Sequence, residues 1–127
     1  MATAPPLLSI EEYLRTSYHP DVHYVDGIIE ERDTGDEDDA VGEFEHNTFQ
    51  IAIGSAFWVH RHEWAIKPVT EQRIRIDSNR VRVCDVAVLR AESPREAVTV
   101  TPPLICIEIL SPEDRLSRAK EVLADYL

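Results

Sequence analysis

Two carboxylates interrupt apolar runs in this chain. Glu108 lies within LICIEIL, residues 104–110, and Asp85 within RVRVCDVAVL, residues 80–89. An ionised carboxylate leaves water only when a counter-charge, hydrogen bonds or a metal compensate it. Two of them, about twenty residues apart and each set in a strand-like run, point to a shared cation. A hard divalent ion such as Mg²⁺ or Mn²⁺ takes oxygen ligands, keeps several waters and needs only one or two protein carboxylates. It acidifies a bound water and stabilises charge developing on a phosphate oxygen. Lys120 is the candidate ammonium to position that water or neutralise the phosphate. The carbonyl of Ile109, beside Glu108, is a candidate further metal ligand. The competing reading has no chemistry in it: each acid is hydrogen-bonded or arginine-paired and serves only the fold.

The elements that must carry these residues can be read from period and punctuation. Ser9 with Glu12 three residues on has capping-box spacing, so a short helix begins in SIEEYL and ends before Pro20. VHYVDGIIEER reads as a hairpin turning at Asp26-Gly27. Seven of residues 30–39 are acidic, which predicts a solvated loop. From His46 to His62, Phe49, Ile53, Ala56 and Phe57 recur at helical spacing, with His46 opening the helix near its buried stripe.

AIKPVTEQRIRI and RVRVCDVAVL form two strands joined at Asp77-Ser78-Asn79. Strict alternation places Val81, Val83, Asp85, Ala87 and Leu89 on one face of the second. LICIEIL, apolar on both faces, reads as a strand in a sheet interior. Ser111, Pro112, Glu113 and Asp114 then make a helix start, followed by an apolar stripe of Leu116, Ala119, Leu123 and Leu127. The class is α/β or α+β in a single domain, a small mixed sheet flanked by helices.

The formal net charge of −11 argues against sequence-blind attraction to polyanions. A local basic surface could still meet DNA, and Arg73, Arg75, Arg80 and Arg82 are its candidates; a solvated edge is the plainer account of them. No apolar run reaches the ~18 residues that span a bilayer, and MATAPPLLSIEEYL lacks the basic flank of a secretory signal. A cytoplasmic, soluble protein without a membrane partner is expected. Alternation sets Cys84 and Cys106 on opposite faces, so no disulfide is expected. The pair His19 and His23 has zinc-like spacing only in a helix, which Pro20 opposes.

SIEEYL, YVDGIIEER, TEQRIRI, RVCDVAVL and LICIEILSPEDR together resemble the Uma-two family of restriction-endonuclease-like proteins, a branch of the PD-(D/E)XK nuclease superfamily. The resemblance covers nearly the whole chain. It implies the restriction-endonuclease-like core and Mg²⁺-dependent cleavage of DNA phosphodiesters. By the same resemblance Asp85 matches the aspartate of the PD element, Glu108 the acid of (D/E)XK, and His46 a histidine that opens the family's long helix.

Three departures stand out. Cys84 replaces the family's proline. Leu110 holds the superfamily's lysine position, and the basic residue this family carries on the next helix falls on Val122, with Lys120 two residues earlier and ~200° round the helix. Family members also continue into a further strand that completes the sheet. The chain is therefore expected to be a truncated gene product, a fragment, or a protein that closes its exposed sheet edge by pairing as a homodimer. The alternative function is therefore a catalytically inactive nuclease-fold protein that serves as an interaction or dimerisation module.

Overall fold

The computed structural model describes residues 7–32, 40–110 and 116–127. In chain order the elements are α1 (Ile10–Arg15), β1 (His23–Val25), β2 (Ile28–Glu30), α2 (Ala40–Trp58), β3 (Ile66–Asp77), β4 (Arg80–Arg90), β5 (Val98–Thr99), β6 (Ile105–Ile107) and α3 (Leu116–Asp125). Most of the expected acidic loop and the helix start at Ser111–Asp114 lie outside the described residues.

The local signals act as their chemistry requires. The Ser9 hydroxyl caps α1 by accepting from the Glu12 amide at 3.2 Å. Asp26 and Gly27 both have positive φ, 49° and 88°, which closes β1 on β2 through a tight two-residue turn. β3 and β4 form one long antiparallel ribbon turning at Ser78-Asn79, and β4 is buried along almost its whole length.

The sheet runs β2-β1-β4-β3-β5. Beside β1, the far half of β4 also pairs with β6. β5 runs parallel to β3 and the other pairings are antiparallel, so the sheet is mixed. A first core joins Ile10, Tyr13, Val22, Tyr24 and Val81; a second joins Ile74, Cys84, Ala87 and Leu89, with Tyr126 packed against it. Among the described residues no helix is long and apolar enough to cross a membrane.

Several expectations are corrected. β6 is only three residues long and, among the described residues, pairs with β4 alone, so LICIEIL does not sit inside the sheet; Leu104, Ile105 and Leu110 are exposed. Strict alternation along β4 also fails, because Cys84 packs in the same cluster as Ala87 and Leu89 while Val81 belongs to the first core. The break coincides with Glu71, whose φ of 53° interrupts β3 across from Asp85, between the pairs Thr70–Val86 and Gln72–Cys84. Cys84 and Cys106 are both free and pack in one cluster, with the Cys84 thiol donating to the Val86 carbonyl at 3.2 Å.

On α2 the expected stripe holds for Ile53 and Phe57 but not for Phe49 and Ala56, and α3 is turned from its expected face. α2 begins before His46, and its sheet-facing residues are His46, Gln50, Ile53, Gly54 and Phe57, leaving Phe49 exposed. On α3 the buried face is Ala119, Val122 and Tyr126, whereas Leu116 and Leu123 are 63% and 41% exposed. Polar tethers decide the rotation of α3. Asp125 accepts from Arg80 Nη1 at 2.9 Å and from Arg82 Nε at 2.6 Å, fixing its side of the helix to β4.

Candidate functional site

The geometry at Asp85 and Glu108 follows from strand register. β4 and β6 pair at Val86–Ile107, Ala87–Cys106 and Val88–Ile105. Asp85 precedes Val86 and Glu108 follows Ile107, so the register carries the two acids toward each other at the end of this pairing. The two acids therefore project to the same side, into a cavity of about 40 Å³ that they line with His23, Arg32, Ile109 and Arg118. Ala119 and Val122 of α3 close it.

Both oxygens of Asp85 are engaged. Oδ2 accepts from the Ile109 amide at 2.7 Å, and Oδ1 accepts from Arg32 Nη2. Oδ1 also lies 3.3 Å from His46 Nε2, at ion-pair distance but off the line of a hydrogen bond. Burial works against the charge on Asp85, yet His46, the Arg32 guanidinium and the Ile109 amide outweigh it and hold the carboxyl below its usual range. The Asp85 carboxylate in turn raises the His46 imidazole.

Glu108 is the opposite case. Burial, and then the neighbouring Asp85 charge, push its carboxyl up to about 8, against the hydrogen bond that Tyr126 donates to Oε1 at 2.8 Å. Opposite protonation of two adjacent acids is what a low-dielectric site imposes when both cannot ionise.

Of the residues singled out from the sequence, the structure brings Asp85, Glu108, His46 and Ile109 together. The engaged group of Ile109 is its amide, which donates to Asp85, and not the carbonyl expected as a metal ligand. Lys120 is not brought to the site: it is exposed, and it does not line the cavity the acids share. Val122, at the position of the family's usual basic residue, is buried in the cavity wall. His19 and His23 line different cavities. Nδ1 of His23 accepts the Val83 amide at 2.9 Å, and burial followed by the Arg82 charge lowers its pKa to about 3.

The arginines proposed as a basic surface are mostly committed to the fold. Arg73 is paired with Asp21, Arg80 with Asp26 and Asp125, and Arg82 with Glu30 and Asp125, while Arg75 donates to the Asp77 and Ser78 carbonyls.

Four residues of the site carried no functional signal that sequence reasoning used. Arg32, just past β2, places a buried guanidinium between Asp85 and Glu71. Glu71 adds a third carboxylate, and Gln50 of α2 ties it to β4 by donating to Glu71 Oε1 and the Asp85 carbonyl, both at 2.9 Å. Tyr126 holds Glu108. Its spacing from Ala119 and Val122 was the available clue, since the three fall on one helical face. On the far side of His46 a larger cleft of about 630 Å³ opens, with Asn47, Glu71 and Arg73 in its wall.

The donor set suits a hard cation: two carboxylates converge on one small polar cavity, although among the described residues no three His, Cys, Asp or Glu side chains are arranged to hold a metal. An acid in the middle of β4 and another just past β6, backed by helices on a mixed sheet, fit a nuclease-like fold. The Uma2 family model, described as "Putative restriction endonuclease", matches residues 10–127, and the chain belongs to that family. A crystal structure of a "putative nuclease belonging to DUF820" from Anabaena variabilis shares the fold, with a TM-score of 0.71 at 21% identity over 93% of this chain and 67% of the other. No curated protein matches the chain.

Proposed function

We propose that this chain is a metal-dependent endonuclease acting on DNA phosphodiesters, with Asp85 and Glu108 as ligands for Mg²⁺ or Mn²⁺. The observation that supports this best is that the two acids, one in β4 and the other just past β6, line one cavity in which the Asp85 charge helps raise Glu108. When bound, the ion would supply Lewis acidity and an activated water.

The chain's own groups do the positioning. The Ile109 amide and His46 keep Asp85 ionised and oriented, and the Tyr126 hydroxyl fixes the rotamer of Glu108. Arg32 and Arg118 bring positive charge to the cavity where a phosphate would lie. Lys120, on the exposed side of α3, has no part in this reading.

Nicking of supercoiled plasmid in Mg²⁺ tests it. Asp85→Asn and Glu108→Gln should each lower the rate by about a hundredfold or more. Activity that survives Glu108→Gln would overturn the assignment. A second reading, a nuclease fold retained as an interaction module, is favoured by the apolar Val122 at the family's basic position. Mn²⁺ binding without nicking in any condition would select it.

A further inference from the structure

The buried guanidinium at the centre of the site has a consequence for how a metal enters. Arg32 donates through Nη2 to Asp85 Oδ1 and through Nη1 to Glu71, with its side chain 4% exposed. The second Asp85 oxygen is taken by the Ile109 amide. Arg32 lines the cavity the acids share, which measures about 40 Å³ with the guanidinium in place. A divalent ion held by Asp85 would need the Oδ1 that the guanidinium occupies. Like charges at such separation also repel strongly away from bulk water.

Three carboxylates, Glu71, Asp85 and Glu108, stand around this one guanidinium. The buried His46 ring aims Nε2 at the same Asp85 oxygen without completing a hydrogen bond. Asp85 is buried whereas Glu71 is 41% exposed, so a guanidinium that releases Asp85 and keeps Glu71 moves toward solvent.

We propose that Arg32 is the resident cation of this site, that a divalent ion binds only by displacing its guanidinium from Asp85, and that Arg32 thereby sets the metal affinity. The inference rests on the reading of Asp85 and Glu108 as metal ligands. It makes Arg32 a positioning residue, and it predicts an effect opposite in sign to that of a structural arginine, whose loss would weaken binding or leave it unchanged.

Calorimetric titration of the whole chain with Mn²⁺ alone decides the matter. Arg32→Gln should bind Mn²⁺ about tenfold more tightly than wild type, or more. Arg32→Lys keeps the buried charge and the fold but cannot bridge two carboxylates, so its affinity should rise by about threefold. Asp85→Asn should abolish binding in either background. Folding of each variant is checked by circular dichroism, and Arg32→Lys alone decides if Arg32→Gln does not fold. If wild type binds through Asp85 but the folded arginine variants bind no more tightly, Arg32 is not the competitor and only this inference falls. If neither wild type nor the variants bind Mn²⁺, the metal-site reading falls with it.

Discussion

Arg73 and Arg32 are both guanidinium groups laid against the sheet, yet the first serves one carboxylate and the second serves two. Arg73 meets Asp21 through paired contacts of 2.8 Å, donates to the Tyr13 and Thr16 carbonyls, and stacks over the Tyr13 ring at 4.2 Å. Tyr13 itself is fully buried and donates to the Val22 carbonyl at 2.6 Å. Around this cluster polar groups have matched partners, and the arrangement reads as structural.

Around Arg32 the account does not balance. Glu71 and Asp85 share one guanidinium, Glu108 keeps its proton at neutral pH, and both nitrogens of buried His46 lack a hydrogen bond among the described residues. Glu71 also holds a left-handed backbone in mid-strand, which is unfavourable by roughly 1–2 kcal/mol for a residue with a Cβ. A left-handed residue and unmatched polar groups gathered at one place set this region apart from the Arg73 cluster.

The sharpest test of this contrast removes the balanced arginine. Arg73→Met leaves Asp21 without its partner and two carbonyls without donors, and should destabilise the fold by about 3 kcal/mol in urea unfolding. A loss under about 1 kcal/mol, the range of an exposed pair, would mean that the α1 region is not the rigid half.

A smaller effect is expected from pH, through two buried groups of opposite sign. Glu108 has its pKa raised from 4.5 to about 8, so stability is full below 4.5 and falls as pH rises toward 8. His23 has its pKa lowered from 6.5 to about 3, so stability is full above 6.5 and falls as pH drops toward 3. Between 4.5 and 6.5 the two slopes oppose each other. From 6.5 to 8 Glu108 contributes about 1.4 kcal/mol per pH unit, a loss of roughly 2 kcal/mol, and His46, raised above 6.5 by Asp85, loses stability in the same direction. Glu108→Gln should flatten that stretch; a wild type equally stable at both ends of it would show that Glu108 is not strained. The least effect belongs to Lys120→Ala, expected to change stability by less than about 0.5 kcal/mol and nicking not at all. A marked loss of nicking would return Lys120 to the site.

Much of this molecule was legible in the chain because short-range rules sufficed. Ser9 capping α1, Asp26-Gly27 turning the hairpin, and the β3–β4 ribbon all depend on neighbours a few residues away. Asp85 and Glu108 stood out for a similar reason, since a charge inside an apolar run is conspicuous without coordinates. The role of Lys120 and the apolar stripe of α3 were not legible: helix rotation was decided by Asp125 meeting Arg80 and Arg82 more than forty residues away in sequence. Arg32 and Glu71 carry the same lesson, being ordinary charged residues until the fold sets them beside Asp85.

The sequence by itself determined the elements, the mixed α and β class and the two acids, because period, capping and the aversion of charge to apolar surroundings are local properties. Tertiary structure alone decided which cation faces those acids, which of them keeps its proton and which face of each helix is buried. Those outcomes depend on distances of a few ångströms between residues far apart in the chain, and electrostatic energies in a buried site change steeply over such distances.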